Sequence, residues 1–355
     1  MLHAPSPPYP GSATVAESVK SLRVVDSHTC GQPTRVIVDG TGILPGTAAL
    51  AAQKELRERH EWVRRVAVFE PRGHRSMFAA ALIPPATPGG EYGVVYMDSH
   101  GYPDMCGHAT IGVATTLFAE GLLQANGDTT VEFGLLTPAG RVALRARLRE
   151  GRVESVAFRT PLAFHLGSMQ AQIAGRTRTV ELSYGGQWYA FVDLEGSDCH
   201  VDPNDIDRLV EMAAQARTRI EAALQLIDPF TGKPPTPINI VWLDKPTKPA
   251  ADGHNVPVSP AGSFDRSPCG TATCARMATL VAQGKLAMGQ RFVNEGLLGT
   301  LYYGMAISST THSGITGIVP EVEGSAWITS RAVLSVDPRD PLRGGYLVGG
   351  GPAVT

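Results

Sequence analysis

The 355-residue sequence predicts an α+β protein built from two pseudo-symmetric domains, each a curved, mostly antiparallel sheet wrapped around a central helix, with the functional site in the cleft between them. Three observations lead there. The chain is long enough for about two cores of ordinary size. Runs with strand-like alternation outnumber helical patterns in both halves. A segment running from Cys106 to Gly121 recurs without a gap from Cys269 to Gly284, a shift of 163 residues.

In that repeat DMCGHATIGVATTLFAEG stands over SPCGTATCARMATLVAQG, and 8 of the 16 positions from Cys106 to Gly121 are identical in the second copy. The same shift places Glu132 on Glu295, Leu135 on Leu298 and Thr137 on Thr300, so register is kept through a helical pattern and into a strand. A period of this length is domain-sized. It predicts two copies of one α+β unit rather than a solenoid of short repeats.

The elements follow in order. Residues 1–20 are proline-rich and read as a loose arm. The first unit is expected over 21–158 and takes in 338–355 as the chain returns; the second spans 159–337. A helical pattern covers Gly46 to His60, and β-branched alternation predicts strands over Val63 to Glu70, Tyr92 to Asp98, Thr129 to Thr137, Arg141 to Leu148 and Arg152 to Phe158. Turn signals at Pro88-Gly-Gly90 and Glu150-Gly151 separate them. In the second unit strands are expected over Glu181 to Leu194, Thr236 to Leu243, Arg291 to Tyr303 and Ser325 to Val336. A helix over Pro203 to Leu226, amphipathic from Asp207, is expected to pack on a sheet. The two Cys-Gly helices are nearly free of charge and carry Ala, Thr, Gly and Leu on every side, so each is expected to be buried all round, closing at Gly121 and Gly284.

Composition narrows the function. With 43% apolar and 18% charged residues and a formal net charge of -2, the chain is globular and offers no electrostatic reason to bind nucleic acid. The longest nearly apolar runs fall short of the roughly 18 residues that a membrane span needs, and no signal peptide is read, so a cytoplasmic protein is expected. Five cysteines, Cys30, Cys106, Cys199, Cys269 and Cys274, are an odd number in a chain that needs no staples, which predicts free thiols.

The chemistry is read from the repeat. Cys106 and Cys269 each open a helix, where unpaired N–H groups and the positive end of the macrodipole are expected to lower a thiol from its usual value of about 8.5. Glycine after each Cys leaves the backbone uncovered, so Gly107, His108, Gly270 and Thr271 are candidate N–H donors to a carboxylate. With the halves related by a pseudo-two-fold axis, the thiols face each other across one ligand. One thiolate then removes a proton from a tetrahedral carbon and the other thiol returns one to the opposite face, which inverts the centre. No flavin, pyridoxal phosphate or phosphate-loop motif is present, and no cofactor is expected. A zinc reading fails because His108 is followed by Ala109 and Thr110 rather than a glutamate, and Cys269 and Cys274 are too widely spaced.

The segments Met105-Cys-Gly-His108, Asp265-Arg-Ser-Pro-Cys-Gly-Thr271 and Arg72-Gly-His74 resemble the signature segments of the proline racemase family. That family includes proline racemases, 4-hydroxyproline 2-epimerases and trans-3-hydroxyproline dehydratases. The resemblance extends from Asp26-Ser-His-Thr29 and Pro33-Thr-Arg35, through Tyr184-Gly-Gly186, to Asp337-Pro-Arg-Asp-Pro341. It implies the two-domain fold shared with diaminopimelate epimerase, Cys106 and Cys269 as the catalytic pair, and a proline-like imino acid as the small-molecule partner. It also implies carboxylate binding by Gly107, His108, Gly270 and Thr271, and contact of His108 and Asp265 with the substrate amine. A homodimer is considered as the assembly, with no motif that specifies it.

Dehydratases of the eukaryotic kind resemble this pattern but carry Thr at the second Cys position, because elimination needs a base on only one face. Cys269 therefore implies racemisation or epimerisation, of proline or 4-hydroxyproline. Dehydration of trans-3-hydroxyproline and silent binding of an amino acid are the alternatives. Three departures bear on ring recognition: Cys30-Gly-Gln32 where the family commonly has Gly-Gly-Glu, Arg75-Ser76 after Arg-Gly-His, and Ala272-Thr273-Cys274 after the second Cys-Gly. His28, His74, His254 and His312 are read as loop or core histidines, and Cys274 and Cys199 as structural.

Overall fold

The computed structural model describes residues 20–312 and 314–348. All but the last residue of the arm expected over 1–20, and the end of the returning segment at 349–355, lie outside the described residues. The chain forms β1 (Lys20–Thr29), β2 (Gln32–Asp39), α1 (Ala49–Arg59), α2 (Glu61–Val68), β3 (Ala79–Ile83), β4 (Tyr92–Met97), α3 (Gly107–Ala119), β5 (Thr130–Thr137), β6 (Gly140–Arg149) and β7 (Arg152–Arg159). There follow β8 (Phe164–Ile173), β9 (Arg176–Tyr184), β10 (Trp188–Asp193), α4 (Ile206–Ala223), β11 (Ile238–Asp244), β12 (Gly253–Val258) and α5 (Gly270–Ala282). The chain closes with β13 (Arg291–Glu295), β14 (Leu301–His312), β15 (Ile315–Gly324) and β16 (Ala326–Val336).

Among the described residues, sixteen strands belong to one hydrogen-bonded sheet, whose order is a palindrome about the β7–β15 pair. From the centre outward one arm runs β7, β6, β5, β4, β3, β2, β1, β16, and the other runs β15, β14, β13, β12, β11, β10, β9, β8. The pairing sense matches step by step. In each arm the β4–β5 and β2–β3 steps, or their equivalents β12–β13 and β10–β11, are parallel, and the other steps are antiparallel. The repeat is thus a repeat of topology as well as of residues, and the fold is the expected α+β pair of sheet units.

The central helices are buried as expected. In α3 every residue from Gly107 to Leu117 is buried, and α5 is buried on most of its surface. Buried threonines would leave hydroxyls without partners, and the helix itself supplies them: Thr110 and Thr116 donate to the carbonyls of Cys106 and Gly112, and their equivalents Thr273 and Thr279 to those of Cys269 and Ala275, at 2.7–3.1 Å. Gly121 and Gly284 end the two helices in the left-handed region, with φ of 67° and 68°. Among the described residues no helix is long and apolar enough to cross a membrane.

Four local readings need correction. Arg291 to Tyr303, read as one strand, is β13 and β14 with a tight turn between them, where Gly296 N donates to the Thr300 carbonyl at 2.9 Å and Gly299 stands at φ 69°. Val63 to Glu70, read as a strand, is largely the helix α2. Its Val63, Val66 and Ala67 are buried together at helical spacing, and tertiary packing outweighs the β-branched preference. Glu181 to Leu194 is two strands, because Gly185 and Gly186 turn the chain between β9 and β10. The chain also returns to the first unit before Asp337: β16 itself pairs with β1, from Lys20 opposite Val336 to Thr29 opposite Ala326. In the second unit β8 fills the equivalent place beside β9. The amphipathic helix behaves as read, with Leu209, Ala213, Ala216 and Ile220 of α4 buried.

Candidate functional site

The first turns of α3 and α5 meet where the two arms of the sheet join. A Cβ added to Gly107 would lie 3.3 Å from Gly270 Cα and 2.8 Å from the ring of buried Phe158; one added to Gly270 would lie 3.4 Å from Gly107 Cα and 2.7 Å from the same ring. These glycines are equivalent in the repeat, so the pseudo-two-fold axis passes between them.

Beside this contact lies a cavity of about 180 Å³, lined from both units. Its wall includes all seven candidate residues, Cys106, Gly107, His108, Asp265, Cys269, Gly270 and Thr271. The N–H groups of Gly107, His108, Gly270 and Thr271 stand in first helical turns, where no intrahelical carbonyl can accept from them. Two helix N-termini therefore present donors to one small space, which suits an anion.

All five cysteines are free, and Cys106 and Cys269 are half-buried at the cavity wall. Cys106 Sγ lies 3.2 Å from His108 Nδ1. The equivalent pair, Cys269 Sγ and Thr271 Oγ1, is 3.6 Å apart, and the buried Tyr189 hydroxyl lies 2.5 Å from Thr271 Oγ1 and 3.8 Å from Cys269 Sγ. The two thiols thus have related positions and different neighbours.

Backbone geometry differs too. Cys106 precedes α3 in extended conformation, φ −149°, whereas Cys269 precedes α5 at φ 63°, a region that costs a non-glycine residue of the order of 1–3 kcal/mol. A buried polar network holds it there. Asn255 Nδ2 donates to the Pro268 carbonyl at 3.1 Å, Asn294 Nδ2 donates to Asn255 Oδ1 at 2.6 Å and to Thr273 Oγ1 at 2.8 Å, and Cys269 N donates to Ser267 Oγ at 3.1 Å. Ser267 Oγ in turn donates to Asp265 Oδ1 at 2.8 Å. Asp265 therefore both anchors the turn and lines the cavity.

The expectation of lowered thiol values does not hold. Burial pushes Cys269 up to about 12, Asp265 adds to that push, and the Ala272 N–H with the Thr271 and Tyr189 hydroxyls oppose it. Cys106 also stands well above its ordinary value, first through burial and then through the charges of Asp265, Cys269 and Asp98, against the Ala109 N–H. The helix-terminal donors are present, but desolvation of a thiolate outweighs them. Burial likewise lowers His108, which keeps its imidazole neutral.

Sequence reasoning touched the rest of the wall at Gln32, in a segment marked for ring recognition, and assigned no role to the other residues. Gln32 lines the cavity and its Oε1 accepts from Arg266 N at 3.0 Å, joining the β1–β2 turn to the Cys269 loop. Phe78 meets the His108 ring edge to face, with centroids 4.9 Å apart. Tyr189, Gln187 and Asn239 come from β10, the turn before it and β11. Of these only Gln32 and Gln187 carried a signal, lying beside segments of the family resemblance. Cys30 does not line the cavity; its thiol faces the carbonyls of Leu301 and Ser325, each at 3.7 Å. His28, His74, His254 and His312 also stand away from it, and Cys274 and Cys199 are buried in core clusters. Among the described residues no group of three or more His, Cys, Asp and Glu converges as a metal would require.

Known proteins share this architecture. The sequence model of the family described as Proline racemase matches residues 24–347. A proline racemase of Clostridioides difficile is 32% identical over 331 residues, 93% of this chain and 98% of that protein. A 4-hydroxyproline 2-epimerase of Streptosporangium roseum is 35% identical over 338 residues, 92% and 98% of the two chains. A trans-3-hydroxy-L-proline dehydratase of Bacillus cereus is 31% identical over 331 residues, 93% and 99%. A crystal structure of a hydroxyproline epimerase from Agrobacterium vitis, with bound trans-4-hydroxy-L-proline, has the same fold: TM-score 0.79 at 24% identity, over 93% of this chain and 96% of that one. The relatives named racemase and epimerase are isomerases acting on amino acids. Because the family match runs through both thiol-bearing helices, both arms of the sheet and the returning strand, this chain belongs to the proline racemase family.

Proposed function

We propose that the protein inverts the α-carbon of a proline-like imino acid, proline or 4-hydroxyproline, by proton transfer between Cys106 and Cys269. The observation that carries this reading is the lining of one small cavity by two thiols at equivalent helix N-termini. The N–H groups of Gly107, His108, Gly270 and Thr271 hold the carboxylate and stabilise the charge that develops on it as the α-proton leaves. Asp265 takes the cationic amine, with His108 beside it. One thiolate removes the proton from one face and the opposite thiol delivers its own to the other; the two residues exchange protonation states at each inversion, so each is the base for one enantiomer and the acid for the other, and proton exchange with solvent resets the pair for a further turnover in the same direction. Protein groups supply every step.

The raised thiol values fit this scheme. A neutral thiol is the required donor, and burial supplies it first; a cationic amine placed on Asp265 cancels the charge that adds to burial in keeping both sulfurs protonated. The ligand thereby helps to form the thiolate that attacks it.

The test is incubation of the protein with L-proline, trans-4-hydroxy-L-proline and trans-3-hydroxy-L-proline in D₂O. Inversion with one solvent deuteron at the α-carbon is the expected result for the first two. Loss of water from the 3-hydroxy compound to a cyclic imine, without inversion of the others, would assign dehydration instead. Binding without α-exchange of any of the three would leave an amino-acid-binding protein.

A further inference from the structure

The cavity wall contributed by the second unit carries a pair of amides whose orientation is dictated by their neighbours. Asn239, at the second position of β11, is register partner to Tyr189 on β10. Its Nδ2 donates to the Trp188 carbonyl at 3.1 Å and to Gln187 Oε1 at 3.1 Å. A backbone carbonyl can only accept, so the first bond decides which end of the Asn239 amide is nitrogen. The second then decides Gln187: its oxygen is occupied, and its Nε2 is the free end. The outcome is one unspent acceptor, Asn239 Oδ1, adjacent to one unspent donor, Gln187 Nε2–H, on two residues that line the cavity.

A hydroxyl is the small group that both donates and accepts through one atom, and a carboxylate or ammonium does only one of the two. Placement agrees. Tyr189, against Cys269, lies in the floor and is buried; Asn239 is half-buried and Gln187 exposed, so the couple leads from the thiol toward the mouth. On the proposed reading, a ring held by its carboxylate at the helix N-termini shares the cavity with this couple. Elsewhere in the wall Phe78, Pro103 and Met105 offer a ring only carbon and sulfur from their side chains, while Asp98, Ser259 and Ser263 are further polar residues of the lining. We infer that Gln187 and Asn239 form a hydroxyl-binding couple that selects the 4-hydroxylated over the unsubstituted imino acid. Position 4 is chosen over position 3 because it lies one bond farther from the α-carbon, toward the mouth. This inference rests on the proposed α-carbon inversion for the placement of the ring.

The test compares calorimetric affinities for trans-4-hydroxy-L-proline, trans-3-hydroxy-L-proline and L-proline in the unmodified protein and in Asn239→Leu and Gln187→Met. The unmodified protein should prefer the 4-hydroxy compound to both others. Each variant should reduce its preference over proline at least tenfold, because a polar site rejects most strongly a ligand that leaves its groups unpaired. Asn239→Asp keeps the acceptor and should retain more of the preference than Asn239→Leu. Equal affinity for proline, a stronger preference for the 3-hydroxy isomer, or an unchanged ratio in both variants would overturn the inference. Preference without α-proton exchange in D₂O would leave the couple standing and sink the inversion; exchange without preference would do the reverse.

Discussion

Gly107 and Gly270 oppose each other across the pseudo-two-fold axis, each so near the other's Cα that a methyl group on either would sit at 3.3–3.4 Å from it. Phe158 closes the remaining space, its ring 2.7–2.8 Å from both would-be Cβ positions. The glycines therefore do more than uncover N–H groups. They set how close two helix N-termini, and the thiols that precede them, can come. Gly107→Ala should force the ring or the helix pair to move and cost about 1–3 kcal/mol in chemical denaturation. Phe158→Leu in the same chain should recover part of that loss. Simple additivity of the two changes would show that the ring and the glycine are not in contact.

Cys106 and Cys269 should be separable by experiment because their neighbours differ, His108 on one side and Thr271 with Tyr189 on the other. Cys106→Ser and Cys269→Ser should each reduce inversion by roughly a thousandfold or more, since a general acid or base contributes about 10²–10⁴. Each single variant should still exchange the α-proton of one enantiomer slowly, and the two variants should act on opposite enantiomers. Near-normal inversion in either variant would sink the two-thiol scheme.

The second thiol's backbone depends on groups far from it in sequence. Asn255 and Asn294 join the Pro268 carbonyl to Thr273, and Cys269 sits at φ 63° directly after that carbonyl. Asn255→Ala removes the 3.1 Å donor to the buried Pro268 carbonyl and the acceptor of the 2.6 Å bond from Asn294, leaving the longer bonds from Thr273 and Asn294 to that carbonyl, at about 1 kcal/mol. Turnover should fall more for proton delivery by Cys269 than by Cys106, so the rates for the two enantiomers' α-exchange should diverge. A uniform loss would indicate only a weakened fold.

What the sequence made legible follows from what repeats. The helices after Cys106 and Cys269 were readable because Ala, Thr and Gly recur at a shift of 163 residues, and all seven candidate residues converge on one cavity. The left-handed backbone of Cys269 was not readable, because Pro-Cys-Gly replaces Met-Cys-Gly without any residue that demands a positive φ. Nor were Tyr189, Asn239 and Asn255, whose roles arise from strand register rather than from neighbours in the chain. The direction of the thiol shifts was misread for a related reason: a helix terminus is visible in a sequence, and the density of protein around a sulfur is not. The β16 strand went to the wrong unit because nothing in Ser325 to Val336 states which edge of the sheet it joins.

Asp265 connects the electrostatics to the chemistry. Its carboxylate raises Cys106 and Cys269, second to burial in the case of Cys269. A negative neighbour disfavours a second negative charge, so removing it lowers both thiol values, and thiolate appears at lower pH. Free Asp265→Asn protein at pH 8 should therefore alkylate with iodoacetamide roughly threefold to tenfold faster at Cys106 and Cys269, read at each residue by mass spectrometry. Cys274, buried within α5 without that neighbour among the causes of its shift, should not change and serves as the internal control. In the unmodified protein, L-proline should accelerate alkylation less than its occlusion of the cavity slows it, whereas a small cation such as pyrrolidinium, which lacks the carboxylate, should raise the thiolate fraction at both cysteines. Rates at Cys106 and Cys269 that ignore Asp265→Asn would mean that burial alone governs the sulfurs, and ligand-assisted ionisation would have no basis.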